Sequence, residues 1–135
     1  MERYQIVFAP NLPAFYEASA TLRRLLDEKG LAAKPRSDVE LAFEEVAANI
    51  LKHGSPVHDI NVQISFQADH VILTFEDDGL PFNPLLHRDP DVPESLDEAQ
   101  IGGLGVMIVK QVASRIEYSR TPQQHNRLTL EISVR

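Results

Sequence analysis

Between residues 60 and 75 hydrophobic and polar positions alternate. Ile60, Val62, Ile64 and Phe66 are separated by single polar residues, and after a break at 67–70 the period of two resumes at Val71, Leu73 and Phe75. This predicts an antiparallel hairpin with one buried face. Upstream the period is helical. From about residue 13 to 29, Phe15, Ser19, Leu22, Leu25 and Leu26 fall near one face, and Gly30 ends the run. Ser37 and Glu40, just after Pro35, make a capping box for a second helix. That helix carries Val39, Phe43, Val46, Ile50 and Leu51 and should stop at Gly54, with Pro56 beyond.

A short strand over 4–9, closed by Pro10, precedes the first helix. A third helix over about 103–114 carries Leu104, Ile108 and Val112, and two closing strands follow near 115–120 and 127–134. Residues 83–101, with three prolines and five acidic residues against Arg88, read as a long loop. Loops of that length are usually functional or mobile. The order β-α-α-β-β-loop-α-β-β predicts an α+β fold, with helices on one face of a mostly antiparallel sheet.

Composition narrows the function. The 135 residues suffice for one domain with a core of its own. With 43% hydrophobic and 24% charged residues the chain has the make-up of a globular protein. The absence of cysteine excludes disulfides, thiolate zinc sites and thiol catalysis. A net charge of -7 speaks against direct binding of nucleic acid or of an anionic membrane. No apolar stretch reaches roughly 18 residues and the N-terminus lacks a signal pattern, so a cytoplasmic protein is the expectation.

Three segments carry chemistry. Glu45, Asn49 and His53 lie one turn apart and form a stripe beside the apolar face of the second helix. An Asn amide oxygen is a hard ligand suited to Mg2+, which binds phosphate oxygens and keeps several waters. A carboxylate one turn away can take a proton from an attacking hydroxyl or water, or bind a metal-bound water. A solvated stripe with a backbone-satisfied Asn would have the same spacing. In Asp77-Asp78-Gly79-Leu80-Pro81-Phe82, Asp77 ends a strand, where a fixed carboxylate can accept from an exocyclic amine such as adenine N6. Gly79 lets the backbone pass close to a flat ring. The same six letters also make an ordinary turn. Gly102-Gly103-Leu104-Gly105 opens the last helix, where backbone N–H groups and the helix dipole can meet phosphate oxygens, although glycines also serve as plain hinges. Neither a Walker A loop nor the H-R-D and D-F-G pairing of eukaryotic-type kinases is present.

Taken in order, Glu45-x-x-x-Asn49, Asp77-x-Gly79-x-Pro81-Phe82 and Gly102-Gly103-Leu104-Gly105 resemble the N, G1 and G2 boxes of the GHKL ATPases, and most closely those of anti-sigma-factor serine/threonine protein kinases. The resemblance covers about residues 4–134. It implies a two-layer α/β sandwich of Bergerat type, with helices on one face of a mixed, mostly antiparallel sheet. It further implies ATP and Mg2+ as cofactors, with Glu45 as general base and Asn49 as the metal ligand. Asp77 would hold the adenine amino group, with Gly79 and Phe82 beside the ring. Gly102, Gly103, Leu104 and Gly105 would cradle the phosphates under an ATP lid at about 83–101. Arg88 and Lys110 are candidates for neutralising phosphate charge. The implied partner is a small anti-anti-sigma protein of STAS type, with a sigma factor as a further client and a homodimer as a further assembly. A nucleotide-gated binding module without catalysis is the alternative function. The chain departs from many relatives at Asn126-Arg127-Leu128-Thr129, where they have Gly-Thr; Asn126 and Thr129 are the polar residues standing there.

Overall fold

The alternating segments pair in the register that their buried residues require. The computed structural model describes residues 2–53, 57–83 and 104–134, with the backbone alone for 104–106. Strand β1 (Glu2–Phe8) runs antiparallel to β2 (Ile60–Phe66), and β2 to β3 (His70–Asp77). Beyond β3, β4 (Arg115–Arg120) and β5 (Asn126–Ser133) complete a sheet of order β1-β2-β3-β5-β4. Every pairing among the described residues is antiparallel. Ile64 faces Leu73 and Leu73 faces Leu130, so apolar side chains line one surface across three strands. A slip of one residue would turn all of them to solvent.

Helix α1 (Leu12–Lys29) starts and stops on local signals. The Asn11 side chain accepts the Ala14 N–H at 2.8 Å, and Pro13 sits in the first turn, where no donor is needed. Gly30, left-handed at φ +67°, ends it and donates to the Asp27 carbonyl.

Helix α2 (Ala33–His53) begins earlier than the sequence suggested. The expected Ser37/Glu40 capping box does not form, because Ser37 already lies inside the helix. The Ala32 carbonyl accepts the Arg36 N–H at 3.1 Å, and Pro35 occupies the first turn without loss of a hydrogen bond. Lys34–Asp38 at 2.9 Å and Arg36–Glu40 at 3.4 Å then pair across one turn. The helix ends at His53; Gly54 and Pro56 lie outside the described residues.

Helix α3 (Leu104–Val112) packs on α2, α2 lies over β3 and β5, and α1 covers β1. Its core side is centred on Val109, with Val112 half-buried against it, rather than on the expected line through Ile108. The helices among the described residues thus lie on one face of the sheet, as expected. Phe43 sits at the middle of the resulting core, with ring centroids 6.1 Å from Phe8 and 5.9 Å from Phe75. The opposite sheet face is polar: Thr74 and Thr129, paired across β3 and β5, bring their hydroxyls to 3.5 Å. Among the described residues no helix is long and apolar enough to cross a membrane.

Candidate functional site

The inward face of α2 is built from Ala42, Phe43, Val46, Ala47 and Ile50, which fix the rotation of the helix on the sheet. That rotation puts Asn49 at the margin of the core, only 9% exposed, and Glu45 half-buried one turn before it. Burial raises the Glu45 pKa above its ordinary value, and the neighbouring Glu44 charge adds to the rise.

The acidic turn separates its two aspartates by strand parity. Asp77 shares the helix-facing side of β3 with Val71, Leu73 and Phe75, and is 5% exposed. Its Oδ1 accepts the Gly79 N–H at 2.9 Å and the Asn126 Nδ2 at 3.0 Å. The turn reading therefore holds, since the bond to Gly79 makes the turn and fixes the carboxylate. Asp78 points elsewhere. It accepts the His58 N–H at 2.9 Å and pairs with the His58 imidazole, which clips the segment before β2 to the end of β3. The His58 pKa is raised, first by its hydrogen bond to Asp78, while Asp78 is lowered, first by the His58 N–H.

Asn126 is the hub of the site, and sequence reasoning saw only part of its role. The turn joining β4 to β5 is closed by Thr121 N–H to the His125 carbonyl at 2.9 Å, with Gln124 left-handed at φ +65°. It sets Asn126 opposite Arg120 across β4 and Asp77 across β3. The Asn126 Oδ1 accepts from Phe82 N–H at 3.1 Å, from Arg120 Nη1 at 3.2 Å and from the Tyr118 hydroxyl. Its Nδ2 donates to Asp77 Oδ1 and to the Leu80 carbonyl at 2.8 Å. Arg120 also reaches the Gly79 carbonyl at 3.2 Å. Thr129, the other polar candidate on this strand, lies on the opposite sheet face and does not reach Asp77. Period-two parity with Leu128, Leu130 and Ile132 would have singled out Asn126. Tyr118 and Arg120 carried no such signal.

Phe82 ties this turn to α2. Its ring stacks on His53 with centroids 4.9 Å apart and planes 20° from parallel. His53 belongs to the same helical stripe as Asn49 and Glu45, so the contact brings the end of that stripe beside the acidic turn. Leu104 and Gly105 form the start of α3, which packs on α2. Gly102, Gly103, Arg88 and the segment beyond Asn83 that was expected to form the lid lie outside the described residues. Lys110 is exposed in the last turn of α3.

Comparison with known proteins shows the fold and the family. The serine/threonine-protein kinase BtrW of Bordetella bronchiseptica is 28% identical over 102 residues, spanning 73% of this chain and 71% of its own. The RsbU and RsbW domains of a Mycobacterium tuberculosis protein superpose on 98% of this chain with a TM-score of 0.68 at 17% identity. The present chain spans only 33% of that one. The structure of the Pseudomonas aeruginosa SiaB-SiaC complex matches 96% of this chain and 88% of its own, with a TM-score of 0.65 at 14% identity. These two solved structures carry the fold. A family model described as the histidine kinase-like ATPase domain matches residues 8–132. With nearly the whole chain so matched, the protein belongs to the histidine kinase-like ATPase domain family.

Proposed function

We propose that the chain binds ATP and transfers its γ-phosphoryl group to a serine or threonine hydroxyl of a partner protein. The observation that carries this reading is the clamped Asp77 carboxylate. Among the described residues both of its hydrogen bonds fall on Oδ1, which leaves Oδ2 to accept from an adenine amino group. Phe82, held by His53, offers an aromatic surface beside the turn.

The donor set also fits Mg2+. Asn49 presents a hard amide oxygen at the margin of the core, and Mg2+ takes one or two protein oxygens together with phosphate oxygens and water. When bound, Mg2+ would neutralise charge on the transferring phosphates. Asn49 would hold it, and the backbone N–H groups of Gly102, Gly103, Leu104 and Gly105 would face the phosphate oxygens. Glu45 would accept the proton of the incoming hydroxyl. Its raised pKa suits that task, because a stronger proton acceptor lowers the barrier to removing a hydroxyl proton. Residues 83–101 would act as the lid that excludes water.

The similarity to a serine/threonine-protein kinase supports the hydroxyl acceptor, and the likeness to a protein solved as the SiaB-SiaC complex supports a protein partner. We assign that partner to the STAS-type anti-anti-sigma proteins, with a sigma factor as the regulated client, transcription as the output, the cytoplasm as the compartment and a homodimer as the working assembly. Calorimetric titration with ATP and GTP, each with and without Mg2+, tests the reading. ATP binding that tightens with Mg2+ and exceeds GTP binding is expected, followed by phosphate transfer to a STAS-type protein. Absence of ATP binding overturns it. Binding without transfer leaves a nucleotide-gated binding module.

A further inference from the structure

We propose that Asn126 is a positioning residue that sets nucleobase selectivity, acting through Asp77 and held in turn by Tyr118 and Arg120. The inference rests on the ATP reading of the same cleft. Its basis is the direction of the hydrogen bonds around one amide. Three donors converge on Oδ1: the Phe82 N–H at 3.1 Å, Arg120 Nη1 at 3.2 Å and the Tyr118 hydroxyl. Two acceptors face Nδ2: Asp77 Oδ1 at 3.0 Å and the Leu80 carbonyl at 2.8 Å. The reversed amide would set donors against donors and acceptors against acceptors, so the network fixes which way Asn126 points. At 6% exposure water has little room to substitute for a lost partner.

This direction reaches the ligand through Asp77. With Asn126 Nδ2 and the Gly79 N–H both donating to Oδ1, the carboxylate is engaged as an acceptor and its plane is fixed. Oδ2 then meets the ligand with lone pairs. A purine carrying an amino group at C6 satisfies it, whereas a purine carrying a carbonyl there sets oxygen against oxygen. Arg120 holds the opposite rim, donating to the Gly79 carbonyl at 3.2 Å as well as to Asn126. The base recognition of this chain is thus divided between a residue that touches the ligand and a strand-borne amide that aims it.

The test compares ATP with inosine triphosphate, in which a 6-carbonyl and a protonated N1 replace the 6-amino group and bare N1 of adenine, by calorimetry on the wild type and on Asn126→Ala. The wild type is expected to prefer ATP. Asn126→Ala should lower that preference by roughly tenfold, mostly by weakening ATP, while inosine triphosphate binding changes little. Parallel weakening of both nucleotides marks a merely structural residue and overturns the inference, as does an unchanged ratio. Tyr118→Phe removes one hydroxyl at nearly constant volume and stands in if Asn126→Ala does not fold; a reduced ratio supports the inference and an unchanged one overturns it. If the wild type binds neither nucleotide, the ATP reading fails and this inference with it. If it binds both equally well, only the selectivity argument fails.

Discussion

His53 lies over the ring of Phe82, with centroids 4.9 Å apart and planes 20° from parallel. This contact joins the last turn of α2 to the chain leaving the acidic turn, two segments separated in sequence by the whole β2–β3 hairpin. Aromatic stacking of this kind contributes about 0.5–1.5 kcal/mol beyond area burial. Its functional consequence is geometric. It brings the helix that carries Asn49, one turn before His53, beside the turn that follows Asp77, as the proposed nucleotide site requires.

Replacing Asp77 by Asn separates turn formation from base recognition. An amide oxygen can still accept from Gly79 and Asn126, so the turn should survive, and the thermal midpoint should move by only a few degrees. The amide NH2 would then face the ligand's amino group, donor against donor. ATP affinity should fall by about tenfold to a hundredfold, as expected when a hydrogen bond to a charged group is lost. Calorimetry reads the affinity and a thermal melt reads the fold. Unchanged ATP affinity would remove adenine recognition from Asp77.

The residues themselves explain which parts of this molecule are legible in sequence. The β2–β3 hairpin follows from period two, because a half-buried strand has no other way to arrange its side chains. The start of α2 does not follow, since Ser37-x-x-Glu40 imitates a capping box while Pro35 is equally at home one turn earlier, and packing decides between them. The core face of α3 is shifted because nine residues give too few turns to define a face without the neighbouring α2. At the site, Asp77 and Glu45 stand out by type and spacing. Tyr118 and Arg120 do not, because they act only by meeting Asn126 across a turn. Such partnerships depend on strand register and leave no local pattern.

The clip between His58 and Asp78 should make a small, pH-dependent contribution to stability. The His58 pKa is raised above 6.5 by Asp78, so its share is fully present below 6.5 and is lost as pH rises through the raised value. Asp78 is lowered below 3.8, so its share is present above 3.8 and is lost as pH falls through the lowered value. The melting difference between wild type and His58→Ala should therefore be largest between pH 3.8 and 6.5 and should shrink above that window. For an exposed pair it should amount to no more than about a few degrees and should diminish in high salt. A difference that stays constant from pH 5 to pH 9 would show that His58 acts without its charge.

Glu45 provides the sharpest test, because stability and activity should move in opposite directions. Burial and the Glu44 charge disfavour its ionised form and raise its pKa above 4.5. A raised folded value means that the protonated form suits the fold better. The favourable contribution is complete below pH 4.5 and is lost as pH rises through the folded value. Glu45→Gln keeps the shape and discards the charge. The variant should melt close to wild type below pH 4.5 and above it at pH 7, with the gap opening between them. Phosphotransfer to the protein partner should fall by about a hundredfold to ten-thousandfold, the usual contribution of a positioned base, while ATP binding persists. In the wild type the transfer rate should decline as pH drops through the Glu45 pKa, and the residual rate of the variant should lose that dependence. A variant that is less stable at pH 7 contradicts the desolvation argument, and one that transfers phosphate at the wild-type rate contradicts the base role. Greater stability with lost transfer is the pattern of a charge kept in an unfavourable place for the sake of chemistry.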